Sequence, residues 1–420
     1  MSAKAEILTI GDEILYGQTL DTNSHWISGE LDKLSIKVIR KTTVPDLEEE
    51  ILTALAEAEH RADVVLITGG LGPTSDDLTK PTLAKYFNVP LVLNEQTLEE
   101  LKERYEKAGR ELNELNKGQA IEPEGSTKIY NQLGTATGIW MEKNDTVFVS
   151  MPGVPFEMKG MMEDEILPRL QEKYIEGEVY HKMIRTSGIP ESTLAEKISD
   201  WEANLPSHIK LAYLPTLSQV KLRLTAIGTE RNQIVQEVDQ QVEKCLPLIE
   251  KYVYATENIE IEERVGQMLR EQGKTISCAE SCTGGYLSHL LTTIPGSSDY
   301  FQGTYVAYSY DIKEIALDVD HKILQEKGAV SEEVVAQMAE NVRRVFGTSI
   351  GVALSGIAGP GGATEDKPVG TVWIAYSDES TTIAKKFIFS KDRQINIKLS
   401  AIVALNIVRR QLVKSLERAK

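Results

Sequence analysis

The segment Val64-Val65-Leu66-Ile67-Thr68, followed by Gly69-Gly70-Leu71-Gly72-Pro73-Thr74-Ser75-Asp76-Asp77, decides the fold prediction for the first part of this chain. Its run of apolar, mostly β-branched residues predicts a strand that is buried on both faces. Shorter strand patterns lie upstream at Glu6–Ile10 and Lys37–Thr43, with helical patterns between the strands. Strands that alternate with helices predict βαβ units and a mostly parallel sheet.

The rest of the chain indicates two further domains. A length of 420 residues exceeds what one hydrophobic core usually serves. Strand patterns at 180–187 and 220–226, with a polar helix from Glu230 that Pro247 is expected to stop, predict a small α+β domain. We predict an α/β fold class: two three-layer α/β domains with mostly parallel sheets, joined by a small α+β middle domain. The predicted boundaries are 1–170, 171–255 and 256–420.

Charge and composition limit the possible partners and the location. The chain carries 63 acidic and 46 basic residues, a net charge of -17, and such a field repels nucleic-acid backbones. We therefore expect no broad direct binding of nucleic acid. Three cysteines are too few for a disulfide scaffold, no apolar run reaches the roughly 18 residues of a membrane span, and no signal peptide is recognisable. The expected location is the cytoplasm, without a membrane partner.

The glycine-rich loop after Thr68 predicts a phosphate-binding site. Consecutive glycines let backbone N–H groups turn toward an anion and let the chain approach it closely. The loop matches neither the P-loop nor the dinucleotide-binding pattern. The candidate phosphate-binding residues in it are Thr68, Gly69, Gly70, Gly72 and Thr74.

Carboxylates lie beside this loop on neighbouring strand ends, which meet at one edge of a parallel sheet. Hard oxygen ligands next to a phosphate site suit a divalent cation, so we predict a metal site formed by Asp12, Asp46, Asp76 and Asp77. Three of these four aspartates also have a simpler interpretation. Asp76 or Asp77 could cap the helix that starts near Leu78, and Asp12 the helix after the first strand. Thr22 or Asn23 is expected to cap the next helix.

A second constellation begins at Ala279-Glu280-Ser281-Cys282-Thr283-Gly284-Gly285. It places the hydroxyl of Ser281 beside a Gly-Gly turn, and Lys313 follows a predicted strand end at Tyr308. A serine nucleophile needs a base, and a partly buried lysine has the lowered pKa that this role requires. We predict Ser281 and Lys313 as the catalytic pair, with Tyr308 hydrogen-bonded to them. The backbone N–H groups around Thr283, Gly284 and Gly285 are predicted to stabilise an oxyanion.

Other interpretations of this constellation remain open. Ser281 could be a helix N-cap, and the two glycines a point of close packing. Cys282 and Thr283 are rival nucleophiles. His289 is a poor candidate for the base, because two helical turns place it roughly 12 Å from Ser281.

A second glycine-rich loop runs from Ser355 to Gly362 and precedes Lys367. It predicts a phosphate cradle formed by Gly359, Gly361 and Gly362, backed by a cation. Lys367 is equally well interpreted as a solvated loop charge.

Motifs along the whole chain resemble those of the CinA (competence/damage-inducible protein A) family. The N-terminal ones are Gly11-Asp12-Glu13-Ile14-Leu15, Asp21-Thr22-Asn23, Thr68–Asp77, Asn131 with Gly134-Thr135-Ala136-Thr137-Gly138, and Met151-Pro152-Gly153-Val154-Pro155. The Ser281 and Lys313 motifs resemble the family's C-terminal domain. Two positions depart from the family pattern. Thr137 stands where proline is usual. Arg393 matches one family arginine, but Ile397 stands where a second arginine is usual. Lys398 could substitute for the latter, although it points about 100° around the helix.

The resemblance implies two hydrolytic activities. The N-terminal domain would be a molybdopterin-binding-like fold with divalent-metal-dependent ADP-ribose pyrophosphatase activity, giving AMP and ribose 5-phosphate, with Gly134 in a further phosphate loop. A pterin is the alternative ligand there. The C-terminal domain would deamidate nicotinamide mononucleotide (NMN) to nicotinate mononucleotide and ammonia without a cofactor. In it Ser281 would attack the carboxamide and Lys313 would move the proton.

The expected partners are small-molecule nucleotides and a second copy of the chain in a homodimer. The alternative from a different functional class is a non-catalytic nucleotide- or pterin-binding adaptor. It would act in DNA uptake or recombination through protein contacts.

Overall fold

The computed structural model describes residues 3–74, 77–107, 109–175 and 177–419. The chain folds into two compact units, Met1–Val179 with Gly228–Arg231, and Tyr180–Ile227 with Asn232–Lys420. The predicted middle and C-terminal domains thus lie together in the second unit. Asp76, predicted as a metal ligand, lies outside the described residues.

The first unit is an α/β structure, as its alternating patterns predict. Its strands are β1 (Lys4–Ile10), β2 (Lys37–Val44), β3 (Val64–Thr68), β4 (Leu91–Leu93), β5 (Ile121–Pro123), β6 (Thr127–Ile129), β7 (Gly138–Lys143) and β8 (Thr146–Met151). Its helices are α1 (Asp12–Leu15), α2 (Thr22–Lys33), α3 (Glu48–Glu59), α4 (Thr79–Phe87), α5 (Glu95–Lys107), α6 (Glu114–Lys117), α7 (Pro155–Met161) and α8 (Leu167–Tyr174).

Six of these strands form one sheet in the order β2-β1-β3-β8-β7-β6. The first four strands are parallel. At one side of the sheet β7 pairs antiparallel with β8, and β6 pairs antiparallel with β7. Alternate residues of β1 enter two separate cores: Ile7 packs with α2, α7 and α8, and Leu8 packs with α3 and α4. Helices therefore cover both faces, which confirms the predicted three-layer architecture.

Three predicted helix caps in this unit are wrong. The side chain of Asp21, rather than that of Thr22 or Asn23, accepts a hydrogen bond from the Ser24 N–H (2.8 Å) and caps α2. Asp12 is the first residue of α1 instead of its cap, and α4 begins without a side-chain cap. Aspartate is a strong N-cap, so the correct residue of the Asp-Thr-Asn triplet was recognisable in principle.

The middle of the chain contains β9 (Glu178–Ser187), α9 (Glu191–Ala203), β10 (Ile209–Thr216), β11 (Gln219–Gly228), α10 (Arg231–Ile249) and β12 (Val253–Ala255). The sheet order is β10-β11-β9-β12, with antiparallel β10–β11 and β9–β12 pairs. The predicted α+β character is confirmed. The prediction that Pro247 ends the helix is wrong, because α10 continues through it for one further half-turn to Ile249.

The C-terminal part contains α11 (Ile261–Glu271), β13 (Ile276–Glu280), α12 (Tyr286–Thr292), β14 (Phe301–Val306), α13 (Tyr310–Leu317), α14 (His321–Lys327), α15 (Glu332–Phe346), β15 (Ile350–Gly356), β16 (Thr371–Ser377), β17 (Thr382–Ile388) and α16 (Arg393–Ala419). Its sheet order is β14-β13-β15-β16-β17, with β14, β13 and β15 parallel and the last two strands antiparallel. One face packs on α11, α12 and α16 and the other on α13, α14 and α15, which again gives three layers.

Among the described helices, none combines the length and the apolar character that a membrane crossing requires.

Candidate functional site

Ser281 directly follows strand β13, which lies between β14 and β15 in the C-terminal sheet. Its N–H donates to the Leu354 carbonyl of the neighbouring strand (3.0 Å), and the residue is buried. The chain then turns through Gly284 and Gly285, whose φ angles of 60° and 98° lie in the left-handed region that glycine adopts without strain. The turn therefore holds the serine at the carboxyl edge of the sheet, where ligands bind in α/β folds.

The turn is organised by Glu280, which the sequence analysis did not single out. This fully buried carboxylate accepts bonds from the Thr283 hydroxyl (2.7 Å) and from the Gly285, Leu287 and Ser288 N–H groups (3.0, 3.1 and 2.9 Å). The Ser288 hydroxyl donates a fifth bond (2.6 Å). Glu280 therefore satisfies the N-terminal N–H groups of α12, and the alternative interpretation of Ser281 as the N-cap is wrong.

These bonds also change the predicted oxyanion donors. The Gly285 N–H is bound to Glu280, and the Gly284 N–H donates to the Ser281 carbonyl (3.1 Å). Both donors are used inside the turn itself. Within the described part of the chain, the Thr283 N–H is the amide among the predicted three with no bond of its own.

Lys313 meets Ser281 from helix α13, rather than from the predicted strand end. The helix begins after Ser309, whose side chain accepts from the Ile312 N–H (3.2 Å). The Lys313 side chain is buried, and its Nζ lies 3.2 Å from the Ser281 Oγ, 2.6 Å from the Ala307 carbonyl and 3.2 Å from the Tyr308 carbonyl. Burial lowers the pKa of Lys313 from 10.5 to about 8.

This geometry suits a lysine that alternates between two protonation states. An ammonium group has three N–H bonds, which match the three oxygens around Nζ. A neutral amine donates two bonds to the carbonyls of Ala307 and Tyr308 and keeps a lone pair directed at the hydroxyl of Ser281. The arrangement can therefore accept the serine proton and return it.

Tyr308 contacts the pair through its backbone, so the predicted bond from its hydroxyl is corrected. Its ring is largely exposed, and its hydroxyl accepts a hydrogen bond from Arg393 (3.4 Å). Arg393 also donates to the carbonyl of Gly359 (2.8 Å). The structure thus joins the predicted arginine to the second glycine loop, and Asn396 extends the link by donating to the Ala358 carbonyl (2.9 Å).

The other predicted phosphate contacts of this domain are distributed differently. Gly361 and Gly362 are exposed on the loop, whereas the Lys367 Nζ donates to the Lys327 carbonyl at the end of α14 (2.8 Å). Ile397 packs against the hydrophobic core, and Lys398 is exposed. Arg393 is therefore the cation that the structure connects to the loop.

The rival nucleophiles have less suitable surroundings. Burial raises the pKa of the Cys282 thiol to about 12, which disfavours the thiolate. The Thr283 hydroxyl already donates to Glu280. His289 is exposed, as expected for a surface residue, and its ring lies near that of Tyr286, with the centroids 6.1 Å apart and the planes tilted by 34°.

In the first unit, the loop after β3 is held tightly against its neighbours. Gly69 has a φ of 110°, and a Cβ atom there would lie 2.1 Å from the Ile10 carbonyl oxygen. Thr68 accepts a bond from the Asn23 amide (3.0 Å), which also donates to the Gly153 carbonyl (2.7 Å). Asn23 thus joins three of the motifs, although the sequence analysis assigned it no contact with a ligand.

The carboxylates predicted as metal ligands have different roles. Asp77 accepts from the Gly72 N–H (2.8 Å), the Thr74 N–H (2.9 Å) and the Thr74 hydroxyl (2.5 Å), so it closes the glycine loop. Asp46 accepts from the Asp12 N–H (3.1 Å), and one oxygen of Asp12 is buried with no partner among the described residues. The described residues contain no cluster of three or more His, Cys, Asp or Glu side chains placed to hold a metal.

The loop that contains Gly134 is built by Asn131 and Glu157. The Asn131 side chain accepts from the Gly134 N–H (2.8 Å) and donates to the Ala136 carbonyl (2.9 Å) and to Glu157 (2.7 Å). Thr137, which replaces the usual proline, donates its hydroxyl to the buried Glu122 (3.1 Å). The departure from the family pattern therefore has a hydrogen-bond partner of its own.

Comparison with known proteins matches this order of domains. The family models that match are the probable molybdopterin binding domain at residues 6–172, the damage-inducible protein CinA KH domain at 181–255 and the CinA C-terminal domain at 258–412. A CinA-like protein of Cytophaga hutchinsonii is 53% identical over 97% of this chain and 98% of its own length. This chain belongs to the CinA-like family.

Two further relatives illustrate the extent of the match. A CinA-like protein of Flavobacterium psychrophilum is 42% identical over 98% of this CinA-like chain and 99% of its own. Among solved structures, the protein CinA of unknown function from Thermoplasma acidophilum is 32% identical, covers 40% of this chain and 98% of its own, and has a TM-score of 0.37.

Proposed function

We propose that the C-terminal domain is a serine amidohydrolase that deamidates NMN, with Lys313 as its base. The observation that carries this proposal is the 3.2 Å contact between the Lys313 Nζ and the Ser281 Oγ. With a pKa of about 8, roughly a tenth of this lysine is neutral at pH 7 and about half at pH 8. A purely structural role would not explain this arrangement, because burying a lysine costs free energy and no carboxylate of the described residues pairs with Lys313.

The reaction follows from these two side chains. Neutral Lys313 takes the Ser281 proton while Oγ attacks the carboxamide carbon, which gives a tetrahedral oxyanion. The Thr283 N–H is available to stabilise that oxyanion. When the C–N bond breaks, the proton on Lys313 passes to the leaving nitrogen and ammonia departs. Water, deprotonated by the same lysine, then hydrolyses the acyl-enzyme to nicotinate mononucleotide and restores Ser281.

The phosphate of the substrate is assigned to Arg393 and the loop at Gly359. Their bond places a guanidinium beside the glycine loop, and the Tyr308 hydroxyl joins the same group. Guanidinium and exposed backbone N–H groups are typical phosphate ligands. Because Ile397 packs in the core, we propose that this chain binds the phosphate with one arginine, Arg393.

The decisive experiment measures ammonia release from NMN by the purified chain and its variants. We expect Ser281→Ala and Lys313→Ala to lose release by at least about 10³-fold, because the nucleophile or its base is missing. His289→Ala, an exposed residue on the same helix, is the matched control and should retain activity. Release that persists in Ser281→Ala would refute the assigned nucleophile.

For the N-terminal domain we propose ADP-ribose pyrophosphatase activity that depends on a divalent metal. The supporting observation is a pair of buried oxygens without hydrogen-bond partners in the described chain, the Asp12 Oδ1 and the Asn23 Oδ1. Such oxygens favour a bound cation or donor group. The described residues do not complete a metal site, so no step is assigned to a metal.

This second activity is tested by AMP release from ADP-ribose before and after chelation. We expect release to stop with chelator, to return with added Mg²⁺ or Mn²⁺, and to fall in Asp12→Asn. Turnover that chelator leaves unchanged would refute the metal requirement. Tight binding of a pterin without any turnover would favour the pterin as the ligand instead.

The adaptor remains the alternative if neither reaction is detected. The KH domain of this chain lacks the G-x-x-G loop that clamps a nucleic-acid backbone, because residues 181–255 contain glycines only at 188 and 228. An adaptor would therefore act through protein contacts. Folded wild-type protein that releases neither ammonia nor AMP would support it.

A further inference from the structure

A cavity of about 1040 Å³ lies inside the second unit, away from the Ser281 turn. Its walls are the edge strand β17, the helix α16 and the segment 250–253 that precedes and enters β12. The KH and C-terminal domains both contribute to it. Its volume is at the upper end of the range for small-molecule pockets, roughly 300–1,000 Å³.

One wall of the cavity is apolar and aromatic. Side chains alternate along a strand, so Ile383, Lys385 and Phe387 lie on the cavity side of β17 and Lys386 on the other. The rings of Phe387 and Phe389 are parallel within 8°, with centroids 5.5 Å apart. This stacked pair lines the cavity and supplies the aromatic surface on which a planar ring can pack.

The remaining lining is basic. Five cations (Lys251, Lys385, Arg409, Arg410 and Lys414) line the cavity against two acids, Glu250 and Glu417. In the described chain no carboxylate pairs with Lys385, Arg410 or Lys414. An excess of three positive charges in a chain of net charge -17 is a local reversal of sign. It favours an anionic occupant.

Arg409 links the basic wall of α16 to the KH segment. It is buried, and it donates to the Val253 carbonyl (2.9 Å), the Lys251 carbonyl (3.4 Å) and the Asn406 side chain (3.0 Å). Its guanidinium N–H groups therefore bind both the KH segment and α16 itself. Arg410 and Lys414, which have no carboxylate partner among the described residues, lie one residue and five residues further along the same helix.

We propose that this cavity binds an aromatic anion of the nucleotide class, with its ring on Phe387 and Phe389 and its phosphate among Lys385, Arg410 and Lys414. A second copy of the chain is a less suitable occupant, because lysines on the edge strand oppose strand pairing and the copy would bring its own net negative charge to a small concave site. Because both domains line the cavity, the ligand would contact the KH domain and the amidohydrolase-like domain together.

The first test uses 8-anilinonaphthalene-1-sulfonate, a fluorescent aromatic sulfonate, as the probe. We expect Lys385→Glu and Arg410→Glu to weaken its binding about 5-fold or more, since each reversal removes an attraction of roughly 1 kcal/mol and adds a repulsion. Lys386→Glu is the matched control, because it makes the same charge change on the opposite face of the same strand. It should leave the affinity for the probe within about 2-fold of wild type. Equal affinities in all three variants and wild type would overturn the proposal.

The second test identifies the ligand chemistry by competition. AMP should displace the probe from wild type at lower concentration than adenosine or inorganic phosphate, and this difference should vanish in Lys385→Glu, which leaves both active sites intact. Displacement by AMP that is unchanged in Lys385→Glu would place the binding elsewhere and refute the proposal. A change of molecular mass by light scattering in Lys385→Glu, without a change in probe affinity, would instead show a contact between chains and equally refute it.

Discussion

At the scale of single residues, the protonation of Lys313 governs the proposed chemistry. Its Nζ faces one hydroxyl and two backbone carbonyls, and no carboxylate of the described residues contacts it. Carbonyl oxygens orient the amine but do not replace the hydration that the ammonium loses on burial. The low pKa is thus a consequence of where α13 places the side chain, and it can be tested directly.

We predict that kcat/KM for NMN rises with pH up to about 8 and then levels off. Only neutral Lys313 can accept the serine proton, and its pKa is lowered to about 8 by burial, so the active fraction grows roughly tenfold per pH unit below that value. The measurement is ammonia release from pH 6 to 9.5. Lys313→Arg, which stays protonated throughout, should be inactive. A profile that is flat or that falls with rising pH would contradict the assignment.

A second prediction concerns Glu280, a positioning residue that acts through the turn. A glutamine at 280 keeps one acceptor oxygen but turns an NH₂ group toward N–H donors, so the Ser281 turn should loosen. We expect Glu280→Gln to lower kcat at least about tenfold with little change in KM, and to reduce the free energy of unfolding by about 1–3 kcal/mol. Glu340→Gln, an exposed change on α15, is the control. A lowered stability with unchanged kcat would show that Glu280 has a structural role only.

At the scale of elements, the same residue types that predict ligands also build the loops that present them. Asp77 closes the glycine loop through three bonds, and Asn131 does the same for the Gly134 loop. The prediction of a metal ligand at 77 therefore competes with a structural role that the structure displays. A variant can separate the two.

We predict that Asp77→Asn destabilises the first unit by about 1–2 kcal/mol, because an amide cannot accept all three loop bonds. The loss should be the same with and without chelator if the role is in the loop. The test is thermal unfolding in two buffers. One contains about 1 mM Mg²⁺, which is roughly the concentration at which weak metal sites fill, and the other contains excess chelator. A stability difference that appears only with Mg²⁺ would identify Asp77 as a metal ligand.

At the scale of the whole molecule, the boundary between cooperative units differs from the boundary between domains. The KH and C-terminal domains share one unit, within which the buried Arg185 of β9 donates to Glu260, just before α11 (2.9 Å). Lys221 of β11 donates to the same carboxylate (3.0 Å). Burial opposes ionisation of Glu260, but its bond to Lys221 and the charge of Arg185 lower its pKa overall.

We predict that Glu260→Gln destabilises the second unit alone. The change leaves the buried guanidinium of Arg185 without its counter-ion, at a cost of roughly 1–3 kcal/mol because Glu260 itself is partly exposed. Differential scanning calorimetry should show two transitions, of which one shifts. Glu271→Gln, on the exposed face of α11, should shift neither. A shift of both transitions would contradict independent unfolding of the two units.

The sequence by itself determined the alternation of strands and helices and the three-layer architecture. These features depend on residues close together in the chain, since the burial period of 2 or 3.6 residues is read locally. Helix ends were less accurate at Asp21 and Pro247, where one hydrogen bond or one turn of packing outweighs the propensity of a single residue.

Apart from Ser281 and Lys313, which side-chain chemistry and the family motifs predicted as a pair, tertiary structure decided which polar groups of the sites meet. Asn23 and Gly153 are 130 positions apart, and Arg393 and Gly359 are 34 apart, so neither contact has a local pattern. The same applies to Glu280, because five donors converge on its carboxylate only when β13 ends against the turn into α12. The order of strands in the sheet sets these distances, and that order follows from the packing of the whole core rather than from any one segment.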